Sequence, residues 1–345
     1  MRSIRFAVAL LSLTAALPAS AQSIAGTDVL RQWNLVVLGD LTSSSEVEGR
    51  TFVGGDLNGN SSNYQIGTPA PSSLGVPGLT VVGDVNGGTK NLNNGSGAIV
   101  GGNVNSGFNL NGSPQTVQVG GTISNTNVNQ NTVNSGLATS DPSFTADLQQ
   151  QKSLITSSMT DLSHTLTGLD ANSTVAISGN RATFNATPNS DGVAVFTLTS
   201  DQLDQIGEIQ FNLNGADTAI VNVSGANITL NDNFLGGTSN LGEHVIWNFE
   251  DAQTLNLSTA WGGSILAPSA AATTSNYVQG SAVFGSLVQN GEFHLGTYSG
   301  GYYPPATPGG GEPSPVPGEA WGLFGLAALG LFGWQRLRSR QLRAA

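Results

Sequence analysis

The sequence predicts a mainly β protein: a parallel β-solenoid with one long flanking α-helix. Three observations predict it. A short β-branched phrase closed by Gly and Asn recurs five times in the first half. Gly and Asn are abundant, at 46 and 32 of 345 residues, while charged residues make up only 10%. A single apolar stripe of helical spacing interrupts the pattern midway.

The phrase reads VVLGDL (36–41), FVGGDLNG (52–59), VVGDVNGG (81–88), IVGGNVNSG (99–107) and VQVGGTISN (117–125). The residue after the Gly is Asp40, Asp56, Asp84, Asn103 and Thr122 in turn, at steps of 16, 28, 19 and 19 residues. Self-similarity of this kind marks a stacked architecture, in which each run is too short to fold alone and gains a core only from its neighbours. Val and Ile suit inward positions of a pleated wall. Gly and Asn suit corners, because they tolerate positive φ. Asn side chains also stack into hydrogen-bonded ladders. The second half repeats the theme at 220–223 (IVNV), 245–248 (VIWN), 265–266 (IL) and 283–284 (VF).

Between the halves, Asp141-Pro142-Ser143 is a helix start, with Asp as cap and Pro in the first turn. Phe144, Leu148, Ile155, Met159, Leu162 and Leu166 then form one apolar stripe, and Gly168 ends it. This predicts a helix over about 142–167, packed along one side of the solenoid. Residues 174–213 alternate as strands, with a short helix near Asp201 to Ile206.

Two address segments flank the body. Residues 1–21 read as a secretory signal peptide, with Arg2 and Arg5, an apolar run from Phe6 to Leu17, and the small-x-small site Ala19-Ser20-Ala21. Signal peptidase would cut between Ala21 and Gln22. The solenoid domain then covers 22–302, a Pro/Gly-rich linker 303–318, and a hydrophobic sorting or anchor segment 319–345. The charge-free run Trp321–Trp334 is 14 residues. As a helix it reaches about 21 Å, short of a hydrocarbon core of about 30 Å. An Arg cluster follows, suited to the cytoplasmic side of a membrane.

Composition excludes several classes. Lys plus Arg is 11 against Asp plus Glu 22, for a net charge of -11. The six terminal Arg residues account for more than half of the bases, so the body is strongly acidic, which argues against nucleic acid as a partner. Cys is 0, so there is no disulfide framework, thiolate metal site or cysteine nucleophile.

Candidate chemistry is sparse. Asp40, Asp56 and Asp84 share one phrase position and would stack along an edge. As paired carboxylates they would suit a polysaccharide hydrolase or lyase; as corner residues they would hydrogen-bond their own backbone. Asp56-x-Asn58-x-Asn60 is similar to the start of a calcium loop, but residue 67 is Gly where an EF-hand has its closing Glu. The same three Asp residues are therefore weak Ca²⁺ candidates. Glu292 and His294 would share a strand face. Glu250, Asp251 and His244 lie near Trp247 in sequence, which would allow a general acid/base cluster. His164 lies beside the helix stripe and is expected to be solvated. No G-x-S-x-G, H-E-x-x-H or phosphate loop occurs. The chain therefore reads as a non-enzyme without a resident cofactor.

The tail resembles the PEP-CTERM sorting signals of Gram-negative bacteria, which join a Pro-Glu-Pro motif, a short Gly/Leu-rich helix and a terminal Arg cluster. Here Val316-Pro317-Gly318-Glu319-Ala320 stands in place of Val-Pro-Glu-Pro. The resemblance implies cleavage by an exosortase, a membrane cysteine protease. A plain C-terminal membrane anchor is the alternative. The body resembles the choice-of-anchor A family, also described as an ice-binding-like adhesive domain, from about Trp33 to Gly300. The resemblance rests on NLVVLGDLTSSSEVEGRTF (34–52), on Val195 to Gly225, and on Trp247-Asn248-Phe249, Gly263 to Pro268 and Asn290 to His294. It implies surface display and adhesion, with extracellular glycans or a biofilm matrix as the expected partners, and gives Trp247, Asn248, Glu292 and His294 as motif residues of unstated role. Ice binding would need a flat Thr array, and no Thr-x-Thr ladder recurs at the repeat spacing.

Overall fold

The computed structural model describes residues 25–72 and 74–304. The leader, the tail and most of the linker lie outside the described residues. Within them the protein is mainly β, with parallel sheets and few helices. In the first half each turn of chain contributes up to three short runs, one to each of three faces. The opening turn has Leu35–Val37, Leu41–Ser43 and Glu46–Val47, and the next has Thr51–Val53, Leu57–Asn58 and Ser62–Tyr64. Equivalent runs stack in parallel and in register: Leu35 pairs with Thr51, Thr51 with Leu79, and Leu79 with Ala98. The antiparallel exception is Thr174–Ser178 against Arg181–Asn185. This arrangement is that of a β-solenoid-like fold.

The order of stacking departs from the order of the chain. Leu35–Val37 lies between Thr51–Val53 and the late strand Ala282–Gln289. The first half winds outward from this middle turn to Thr132–Asn134. The second half begins at the opposite end, with Val193–Thr199, and winds back to the middle.

The helix Pro142–Thr167 makes this possible. Its 26 residues give about 39 Å at 1.5 Å per residue. From strand Thr116–Val119 to strand Thr218–Ser224 there are eight inter-strand steps, or about 38 Å. The helix therefore carries the chain from one part of the stack back across nearly all of it. Near its start, Phe144 and Leu148 lie against Gly120 and Gly101. Near its end, the Leu166 carbonyl accepts from Asn222 Nδ2 at 2.7 Å. Asp141 caps it by accepting from the Ser143 backbone N–H at 3.0 Å, and all six stripe residues are buried.

Two apolar layers result. The inner core holds inward residues such as Leu35, Val53, Val81, Val100, Trp247 and Phe284. The second lies on the outer side of the first face, where Val36, Phe52, Ile99, Ile246, Leu266 and Val283 are buried outside that cluster. No helix among the described residues is long and apolar enough to cross a membrane.

Candidate functional site

The repeated phrase builds a ladder rather than isolated turns. Asp40 Oδ1 accepts from the backbone N–H of Asp56 at 2.8 Å, and Asp56 Oδ1 from that of Asp84 at 2.7 Å. Asp84 Oδ1 accepts from Asn103 N–H at 2.6 Å, and Asn103 Oδ1 from Thr122 N–H at 3.0 Å. The expected bond to the residue's own backbone is thus replaced by one to the next turn, because equivalent positions stack directly. The preceding glycines serve close approach: a Cβ on Gly55, Gly83 or Gly102 would collide with Oδ1 of Asp40, Asp56 or Asp84. The true corners are Gly59, Gly87 and Gly107, with φ of 99, 84 and 82°.

Beyond this ladder, the second face stays uncovered across nine turns. Its inward row is apolar, running from Ile228 and Leu255 through Leu41 and Leu57 to Val104. Its outer side carries two rows. In the first, register aligns Thr229 with Asn256, Asn256 with Thr273, Thr273 with Val288, and Val288 with Thr42. Thr42 pairs with Asn58, and the bridges at Val85, Val104 and Ile123 continue the row through Asn86, Asn105 and Ser124. The second row lies two residues earlier in each strand. It runs from Asn227, Thr254, Ala271 and Ser286 into the Asp40 ladder. None of these outward residues is buried. Asn86 Nδ2 donates to Asn58 Oδ1 at 3.1 Å and Asn105 Nδ2 to Asn86 Oδ1 at 2.8 Å. The amide ladder expected from composition is therefore formed here.

The third face has its own outward row, with Asn63 Nδ2 donating to Glu46 Oε1 at 2.9 Å and Asn109 Nδ2 to Asn91 Oδ1 at 2.8 Å. Glu292 and His294 lie on this sheet and do share a face, with Oε2 to Nε2 at 2.9 Å. The His294 ring stacks on Tyr277, with centroids 4.5 Å apart.

The other motif residues are structural. Trp247 is fully buried, packs on Trp261 at 4.9 Å between ring centroids and donates Nε1–H to Gly262 O at 3.0 Å. Asn248 docks the long helix. Its Nδ2 donates to Ser163 O, Thr167 Oγ1 and Asn222 Oδ1 at 2.9, 3.0 and 2.9 Å, and its Oδ1 accepts from Ser163 Oγ at 2.6 Å.

The group around Trp247 does not converge. Glu250 pairs with the exposed His164 at 2.7 Å, and His244 Nδ1 meets Asp217 O at 2.8 Å. The reason is position along the chain: His244 closes the short helix Leu241–His244 before the strand Val245–Asn248, and Glu250 lies in the turn after it, so the strand holds them at its two ends. Asp40, Asp56 and Asp84 stack one per turn, each with an oxygen committed to a backbone amide. Among the described residues no group of three or more His, Asp or Glu side chains is placed to hold a metal ion. The cleavage site Ala21/Gln22 and the sorting positions Val316, Pro317, Gly318 and Glu319 lie outside the described residues.

Lys90 and Asp232 are buried ionisable groups that had no sequence signal. Lys90 points inward, its Nζ donating to Gly59 O at 3.2 Å and Asn60 O at 2.5 Å, and burial pushes it down to about 8. Asp232 is buried with neither carboxylate oxygen hydrogen-bonded, and burial, aided by the negative charge of Asp204, pushes it up to about 7.

A family described as "Putative Ice-binding-like adhesive domain" matches residues 26–295. The chain belongs to this family. The matched span includes all three faces and the long helix. No curated protein and no solved structure matches the chain. Membership of the adhesive-domain family suggests an adhesive or surface role for the chain.

Proposed function

We propose that the chain is an exported, surface-displayed adhesive or matrix-building protein whose parallel sheets are the walls of a β-solenoid. Membership of the adhesive-domain family carries this reading. The nine-turn uncovered face supports it, since a long regular surface offers many equivalent weak contacts and gains strength by repetition. On this reading residues 1–21 direct export and signal peptidase releases the chain at Gln22. The tail 319–345 then holds it at the membrane of a Gram-negative cell until an exosortase acts near Val316–Glu319. The body is left at the surface, in a biofilm or exopolysaccharide matrix.

Cell fractionation with mass spectrometry of both termini tests the routing. The expected product starts at Gln22, lies outside the cell and lacks the segment after Pro317. A tail intact in the inner membrane replaces the exosortase step with permanent anchoring. Surface attachment by cells lacking the protein tests the adhesive role. Attachment equal to that of the parent removes it.

A further inference from the structure

We infer that the double row on the second face is a binding surface for a neutral polysaccharide chain lying across the strands, along the axis of the stack. The inference rests on the adhesive reading and adds a ligand class and a location. Three properties of the face lead to it.

The first is hydrogen-bond chemistry. At Asp56 and Asp84 one carboxylate oxygen is held by the next turn's backbone, which leaves the second as a spare acceptor. Two residues on, the Asn58–Asn86–Asn105 ladder uses one amide N–H of Asn86 and of Asn105, leaving the other as a spare donor. The Asp56/Asn58 and Asp84/Asn86 turns thus each present an acceptor and a donor on one face, about 7 Å apart. Vicinal hydroxyls, each both donor and acceptor, can satisfy such a pair without any charge.

The second property is charge. The two rows carry the carboxylates of Asp40, Asp56 and Asp84 and no Lys or Arg. Uronic-acid polymers and nucleic acid are repelled. An apolar partner gains little, because Val288 is the one large aliphatic side chain in the rows. The third property is regularity. The double row of outward residues advances at the inter-strand spacing of about 4.8 Å, which suits a polymer of repeating units rather than a compact ligand. Individually weak contacts then add along one chain.

Affinity electrophoresis of the purified full-length chain tests this, with barley mixed-linkage β-glucan and galactomannan as neutral probes and alginate as the anionic one. Retardation is expected in at least one neutral polymer and not in alginate. Thr42→Arg combined with Asn105→Arg places two cations on the face. It should weaken the retardation at least tenfold, while Asn109→Arg, on the third face, leaves it unchanged. Melting temperatures establish that the variants are folded, and Asn105→Arg alone serves if the double variant is not. No retardation of the wild type by either neutral polymer overturns the inference, as does equal retardation in alginate or unaltered binding by folded face variants. Thermal hysteresis without polysaccharide binding reassigns the face to ice. Cells that attach through a protein showing no retardation preserve the adhesive role and remove this site. Retardation by a protein whose deletion leaves attachment intact preserves the site and removes the role.

Discussion

Asp40 Oδ1 accepts the backbone N–H of Asp56 at 2.8 Å, one full turn further along the chain. The bond joins a side chain to the main chain of the neighbouring turn, and the phrase repeats it until Thr122. A carboxylate and an amide oxygen are interchangeable in this role, since Asn103 accepts from Thr122 in the same geometry.

Asp56→Asn is therefore expected to cost under about 0.5 kcal/mol, and Asp56→Ala about 1–2 kcal/mol, because only the second strands the Asp84 N–H. Urea unfolding at pH 7 measures both. Equal losses in the two variants would mean that charge, rather than an oxygen in this position, holds the turns together.

Asn248 ties the long helix to the sheet through three hydrogen bonds, and a fourth joins it to Asn222 on the neighbouring strand. Asn248→Ala leaves Ser163 O without that donor and Ser163 Oγ without its acceptor in a buried place. The expected cost is about 2–3 kcal/mol. Hydrogen exchange should show increased opening over 160–167 while the strand ladder of the first half keeps its protection. Uniform loss of protection would contradict a local role for Asn248.

Asp232 binds its proton more tightly folded than unfolded, because its carboxyl is pushed up to about 7 from 3.8 by burial and then by Asp204. Its contribution to stability is fully present below about pH 4 and is lost as pH rises to about 7. Asp232→Asn should match the wild type near pH 4 and melt higher at pH 8. A variant that melts lower at pH 8 would show that the ionised carboxylate has a stabilising partner.

Lys90 has the opposite sign. Burial pushes its ammonium down to about 8 from 10.5, so the unfolded chain holds the proton more tightly. Stability contributed by this group rises with pH between about 8 and 10.5. Lys90→Met should flatten the stability profile across that window, read by thermal melting in closely spaced buffers. An unchanged slope would assign the window to other groups.

Much of the fold was legible because it is written in local periods. The Phe144 to Leu166 stripe recurs at helical spacing, and all six residues are buried. The phrase around Asp40, Asp56 and Asp84 recurs because every turn meets the same neighbours. Glu292 and His294 were placed on one face by alternation alone. Alternation gives no guide to His244 and Glu250, which lie in a short helix and a turn on either side of the strand carrying Trp247 and are held apart by separate partners. The rows through Thr42, Thr254 and Thr273 were missed because they join residues from distant parts of the chain.

The sequence by itself determined the runs, the corners, the helix and the acidic, cysteine-free character, since each follows from neighbours along the chain. Tertiary structure alone decided that Leu35–Val37 pairs with Ala282–Gln289, that the helix returns the chain across the stack, and that Lys90 and Asp232 are buried. The physical reason is that pairing and burial are set by which turns stack on which, and parallel stacking satisfies the backbone equally well in more than one order. In the order adopted, the helix's length matches the height of the stack, and the amides of Asn222 and Asn248 dock its far end there.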